Sequence, residues 1–162
     1  MPDVCRHHAA WCTLALIPVS QLSLTQVDDD MFATMVVKEM ILAQQQHFTA
    51  SEICVDTCAD GQECIDHLTG DAPVGPYSVL LLDGQLGDMT GLEVLHALRS
   101  TEEGARHPWL ASMRIIMLSG NEPDDMEQLS ALGVETYWTK PVTVDQLRQV
   151  LEGVVEEQLA ST

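Results

Sequence analysis

The stretch Tyr77-Ser78-Val79-Leu80-Leu81-Leu82-Asp83 decides the fold of this chain. It is apolar at odd and even positions alike, so as a strand it is buried on both faces, the pattern of a central strand in a parallel sheet with helices on each side. Three more apolar runs stop on polar groups: Leu22 to Val27 at Asp28, Asp29 and Asp30, Ile115 to Leu118 at Ser119, and Val134 to Thr139 at Lys140. If the four runs are parallel strands of one sheet, their ends emerge on one edge. In open α/β sheets, ligands bind in the crevice outside the carboxyl ends of the strands. The four ends would then form a pocket of carboxylates, hydroxyl and amine suited to a divalent cation and a phosphoryl group.

Outward from that strand, strand-like and helix-like patterns alternate from residue 21 onward, which indicates an α/β domain. Met31 to about Gln46 is expected to be helical, with Phe32, Met35, Val36, Met40 and Ala43 along one face. Ile53 to Cys58 reads as the second strand. Asp60 is placed to N-cap a short helix bearing Cys64, Ile65 and Leu68, and a Gly/Pro-rich loop follows from Gly70 to Pro76. Thr90-Gly91-Leu92-Glu93 is a capping box that opens a helix with Val94, Leu95 and Leu98 toward the core. Thr101 to Ser112, holding His107-Pro108-Trp109, reads as a long surface connection. Met113 to Leu118 is the fourth strand. Pro123 suits the first turn of a helix that points Met126, Leu129 and Leu132 inward and stops at Gly133. A second capping box, Thr143-Val144-Asp145-Gln146, opens the last helix, with Val142 stapled on Leu147 and a buried stripe of Leu147, Val150, Leu151 and Val154.

The chain has 162 residues, 46% of them hydrophobic, which suits one domain with one sizeable core. Its 25 acidic and 7 basic residues give a net charge of -18, so no basic surface is available to neutralise nucleic-acid phosphates. The acidity reads as a solvated surface, with a basic partner as the alternative. Five cysteines without a C-x-x-C pair suggest neither a zinc ribbon nor a complete disulfide framework. Reduced thiols fit a cytosolic compartment. The apolar run Ala9 to Ile17 is too short to span a bilayer and lacks a small-x-small cleavage site. Residues 1–20 are read as an amino-terminal extension of unknown role.

Crowded carboxylates from Asp28, Asp29 and Asp83 would repel one another unless a cation relieved them. Mg²⁺ prefers such oxygen ligands, and the Gln85 carbonyl would add another. Lys140 supplies a point charge for a phosphoryl oxygen, and Ser119 a hydroxyl donor. Taken singly, Asp83 or Ser119 after a strand is an ordinary loop starter or helix cap, and Lys140 an ordinary solvated lysine. Their joint occurrence at strand ends, in this order, is what points to a site.

The segments Val27-Asp28-Asp29-Asp30, Leu82-Asp83 through Gly91-Leu92-Glu93, Leu118-Ser119-Gly120 and Tyr137-Trp138-Thr139-Lys140-Pro141 resemble the receiver domain of two-component response regulators. The likeness covers about residues 21 to 158. It implies a doubly wound, flavodoxin-like α/β fold with five parallel strands in the order 2-1-3-4-5 and helices on both faces. The domain would fill residues 21–162. The resemblance further implies that Asp83 accepts phosphate from the phosphohistidine of a sensor histidine kinase or histidine phosphotransfer protein. Asp28, Asp29, Asp83 and the Gln85 backbone carbonyl would hold Mg²⁺, and Lys140 would grip the phosphoryl group. Ser119 and Tyr137 would form the switch, altering the surface of the fourth helix, fifth strand and fifth helix for a downstream protein. Trp138 points opposite to Tyr137, either into that surface or over the sheet edge. Lys140-Pro141 would be cis. Such a protein is a cytoplasmic signalling switch rather than an enzyme, with only self-directed phosphotransfer and autodephosphorylation.

The chain departs from the family's pattern in places. Leu86-Gly87 replaces the usual Met-Pro after the phosphoacceptor, Thr90 replaces an Asp, and Gln26 stands where an apolar strand residue is usual. The acidic pair can be read as Asp29 and Asp30, but Asp28 and Asp29 is the register that places Phe32, Val36 and Met40 at the family's core positions. The separation of Asp29 from Asp83 is stretched by Gln44 to Glu52 and Gly70 to Pro76. Three other readings stand beside a stand-alone switch: a receiver module of a hybrid histidine kinase or longer regulator, a Mg²⁺-dependent aspartyl phosphohydrolase, and a degenerate receiver that binds without phosphorylation. The phosphohydrolase motif needs a second aspartate at the place of Gln85.

Overall fold

The computed structural model describes residues 20–70, 76–100, 102–120 and 126–161. Its strands are β1 (Ser20–Val27), β2 (Ser51–Cys58), β3 (Val79–Asp83), β4 (Arg114–Ser119) and β5 (Val134–Thr139), and its helices are α1 (Met31–Leu42), α2 (Gly61–Thr69), α3 (Gly91–Ser100), α4 (Glu102–Ala105), α5 (Met126–Ala131) and α6 (Val144–Ala160). The strands form one five-stranded sheet in the order β2-β1-β3-β4-β5, and every pairing is parallel. This is the doubly wound arrangement expected from the sequence. The helix start at Pro123, Cys5, Cys12, His7, His8 and nearly all of the 1–20 extension lie outside the described residues.

The strands alternate their side chains between two cores. Val27, Leu80, Leu82, Ile115 and Met117 face the side of α2, α3 and α5, where Cys64, Leu68, Val94, Leu95, Leu98 and Leu129 pack. Leu22, Leu24, Val79, Leu81, Ile116 and Leu118 face the opposite side, against Val37 and Ile41 of α1 and Leu147, Val150, Leu151 and Val154 of α6. All five residues of β3 are buried, as its run of apolar residues requires of the central strand.

The local signals account for several helix boundaries. Asp30 caps α1 by accepting the amides of Phe32 and Ala33, and Asp60 caps α2 by accepting that of Glu63. The capping box at Thr143 is complete, and Val142 packs on the core that contains Leu147. At Thr90, the Glu93 carboxylate accepts the Thr90 amide at 2.7 Å and the Thr90 hydroxyl accepts the Glu93 amide at 3.2 Å. Gly133 follows α5 with φ +82°, the left-handed conformation that ends helices and that glycine adopts without steric cost. Lys140-Pro141 is cis.

Three expectations are corrected. The first helix stops at Leu42 and passes into a 3₁₀ turn, Ala43–His47. Its buried residues are Val37 and Ile41, while Met31 is 83% exposed, Phe32 69% and Met35 54%. Val36 is also on the exposed side and Met40 only flanks the core. The helix is apolar almost all round, so periodicity could not choose its face. The Asp30 cap and the Val37–Ile41 pair set one turn apart choose it instead. Secondly, the segment after α3 is not a bare connection: α4 and a 3₁₀ turn, Pro108–Ala111, lie within it, with Leu110 buried and Trp109 packed on the core. Thirdly, Met126 is exposed rather than inward. Trp138 is partly buried against the α1/α6 core.

Candidate functional site

The ends of β1, β3, β4 and β5 meet at one edge of the sheet, because parallel strands in register finish together. Val27 pairs with Leu82, Asp83 with Leu118, and Ser119 with Thr139. Two crossing backbone bonds tie the ends, from the Gly84 amide to the Leu118 carbonyl at 2.7 Å and from the Lys140 amide to the Ser119 carbonyl at 2.8 Å. Asp28, Asp29 and Asp83 are thereby brought together, with one carboxylate oxygen from each within 4.8 Å of the others. Asp28 and Asp83 are only 3% and 7% exposed, and Asp29 is exposed. Asp30 points away to cap α1.

Lys140 Nζ donates to Asp28 Oδ2 and to Asp83 Oδ2, each at 2.7 Å. Burial alone would lower the pKa of this ammonium, but its hydrogen bonds to Asp28 and Asp83 and their charges outweigh burial and hold it above the ordinary lysine value. One ammonium facing three carboxylates leaves the pocket with an excess of negative charge. Buried charge of that kind is costly unless paired, so the donor set fits a divalent cation with oxygen ligands.

The remaining residues singled out from the sequence surround this pocket. Ser119 ends β4, and its Oγ lies 3.8 Å from where a Cβ on Gly84 would stand. Tyr137 is half-buried in β5 opposite Met117. Gln85 follows Asp83, donates its amide to Asp83 Oδ1 at 3.2 Å and bridges antiparallel to Thr90. The loop from Gly84 to Thr90 is closed further by bonds from Leu86 N to the Met89 carbonyl and from Gly91 N to the Gly84 carbonyl. Gly91 is required there, since a Cβ would stand 2.6 Å from the Asp83 carbonyl oxygen.

Two features were missed in the sequence. Asp88 accepts the Gly61 amide on Oδ1 at 2.9 Å and the Gln62 amide on Oδ2 at 3.0 Å. These amide bonds hold the Asp88 carboxyl below the usual range. The signal was available in part: Asp60 can fill only one of the free amides of α2, which leaves the others open to a further acceptor. The second is an apolar groove of about 470 Å³ between α1 and the turn after β5, lined by Phe32, Val36, Met40, Leu118, Pro141 and Val142 and opening beside Asp28 and Lys140. Among the described residues no helix is long and apolar enough to cross a membrane.

Comparison with known proteins places this geometry. The model of the response regulator receiver domain matches residues 25–152. The transcriptional regulatory protein CitT of Halalkalibacterium halodurans is 26% identical over 82% of this chain and 51% of its own length. Sporulation initiation phosphotransferase F of Bacillus subtilis is 28% identical over 58% of this chain and 67% of its own. The chain thus spans about half the length of CitT. Among solved structures, a CheY-like receiver domain from Methylobacillus flagellatus aligns with TM-score 0.66 at 19% identity, over 83% of this chain and 99% of that one. The receiver domain of a sensor histidine kinase from Pseudomonas aeruginosa, with a magnesium ion coordinated in its active site cleft, aligns with TM-score 0.62 at 22% identity, over 85% and 99%. The matched segment contains the three clustered aspartates and the lysine that pairs with two of them, and on that match the chain belongs to the response regulator receiver domain family.

Proposed function

We propose that the chain is a phosphoacceptor switch of a two-component phosphorelay, a cytoplasmic signalling protein rather than an enzyme with an external substrate. One observation carries this reading: Asp83, at the end of the central strand, shares Lys140 with Asp28 inside an acidic cluster. Asp28, Asp29, Asp83 and the Gln85 carbonyl would hold Mg²⁺, which when bound offsets the charge on the transferring phosphoryl oxygens. An Asp83 carboxylate oxygen bonds to phosphorus as the phosphorus–nitrogen bond of a phosphohistidine breaks, and the electron pair leaves on the imidazole. Lys140 exchanges its bond to Asp83 for one to a phosphoryl oxygen, stabilising charge in the transferring group. The Ser119 hydroxyl then donates to that group and Tyr137 turns into the space it leaves. The surface of α5, β5 and α6 changes accordingly for a downstream protein.

The donor is a histidine on a sensor kinase or phosphotransfer protein. The groove of Phe32, Val36 and Met40 beside Lys140 supports a protein donor, because a contiguous exposed apolar patch marks a contact surface. Gln85 stands where an aspartyl phosphohydrolase needs its second acid, which disfavours that alternative. The test is labelling with acetyl phosphate in Mg²⁺, read by intact-protein mass. Wild type is expected to gain one phosphoryl group, Asp83→Asn none, and Lys140→Ala far less than wild type. A wild-type protein that takes up no phosphate ends the covalent reading.

A further inference from the structure

We propose that Asp88 is a positioning residue, which holds the tip of the phosphoacceptor loop against the first turn of α2 and so fixes Gln85 and Asp29 in the geometry that binds a divalent cation. The inference rests on the receiver reading above. It starts from the loop's composition, Gly84-Gln85-Leu86-Gly87-Asp88-Met89-Thr90, which has two glycines and no proline to restrict its backbone. Its base is fixed by the Gln85–Thr90 bridge and the Gly91 to Gly84 bond. Those bonds and the Leu86 amide to Met89 carbonyl bond are internal to the loop, so beyond the buried Leu86 side chain its tip is held to the rest of the fold by other contacts.

The tip lies between the metal-binding cluster and α2. On one side a Cβ at Gly87 would stand 3.4 Å from Asp29 Oδ2. On the other, both Asp88 oxygens accept first-turn amides of α2, and Met89 packs so close to Gly61 that a Cβ there would lie 2.4 Å from Met89 Cγ. The first three amides of a helix have no partner within it. In α2 the third goes to Asp60 at 2.8 Å, and the first two go to Asp88, 27 and 26 residues away in sequence. Helix α2 is itself anchored by buried Cys64 and Leu68, so Asp88 ties a glycine-containing tip to a fixed support.

The test uses the full chain and reads Mg²⁺ binding by calorimetry, and hydrogen exchange of the Gly61 and Gln62 amides by NMR. Asp88→Ala is expected to weaken Mg²⁺ binding about tenfold, the loss typical of removing a group that orients a metal ligand, and to speed exchange of both amides. Asp88→Asn keeps one acceptor oxygen and should lose less. Gln62→Pro deletes one of the two bonds, together with the exposed Gln62–Asp66 side-chain bond, without changing the charge of the loop, at a first-turn position whose amide has no partner within the helix, and it too should weaken Mg²⁺ binding. Combined with Asp88→Ala it should add nothing. The inference is overturned if Asp88→Ala binds Mg²⁺ like wild type, or if Asp88→Asn loses as much as Asp88→Ala while Gln62→Pro loses nothing, which would mark a charge effect. Failure of the wild type to bind Mg²⁺ would overturn the phosphoacceptor reading and this one together, whereas a normal wild type with an indifferent Asp88→Ala overturns only this one.

Discussion

At the scale of single residues, the placement of the candidate site was readable where it follows from a position at a strand end. Asp83, Ser119 and Lys140 sit where their runs predicted. The choice of Asp28 and Asp29 over Asp29 and Asp30 agrees with the observed cluster, but the argument that led there does not: Phe32 and Val36 are on the exposed side of α1. Asp88 was missed because its partners are backbone amides on another helix, which no local pattern reveals. Gln26 shows the reverse. The sequence marked it as out of place, and it is indeed 0% exposed in β1, with neither its side-chain nitrogen nor its side-chain oxygen hydrogen-bonded among the described residues. Burying an unpaired amide costs about 1–3 kcal/mol. Replacement by an apolar residue of similar size removes that cost, so Gln26→Leu should raise the free energy of urea unfolding by about 1–2 kcal/mol with an unchanged m-value. A variant less stable than wild type would show that the amide has a structural role.

At the scale of elements, legibility followed redundancy of signal. Strand β3 is apolar up to Asp83 and could only be central, and α6 carries a complete capping box with a clean apolar stripe, so β3 was placed within two residues and the start of α6 at its cap. Helix α1 was misread because it carries apolar residues on two adjacent stripes; burial of Val37 and Ile41 is a tertiary choice that leaves Met31, Phe32 and Met35 to solvent. The segment holding α4 was misread because Trp109-Leu110-Ala111 is too short an apolar run to show a period, yet Leu110 anchors the segment to the core. The α6 cap offers a quantitative check. Thr143 Oγ1 accepts the Gln146 backbone amide at 3.3 Å while Gln146 Oε1 accepts the Thr143 backbone amide at 2.9 Å. Thr143→Ala should therefore cost about 1 kcal/mol of stability, measured by thermal unfolding. Thr143→Ser should restore nearly all of it, since the hydroxyl is what the cap uses.

At the scale of the whole molecule, the net charge of -18 sets the background on which the acidic pocket sits. Few opposite charges are available for surface pairs, the Arg114–Glu135 pair being one, so long-range self-repulsion outweighs them. Added salt screens that repulsion, with a Debye length of about 10 Å at 0.1 M. The midpoint of thermal unfolding should accordingly rise as NaCl is raised from about 0.05 to about 0.5 M. A falling midpoint would mean that local ion pairs dominate instead. Lys140 has a further consequence at this scale, since it bonds Asp28 from 112 positions away in sequence. On the ribosome the three carboxylates are made well before the ammonium that joins two of them. A nascent chain that has emerged only as far as β4 carries the three carboxylates without their internal cation, and synthesis of β5 and Lys140 completes the sheet and lowers, without cancelling, the negative charge of the site.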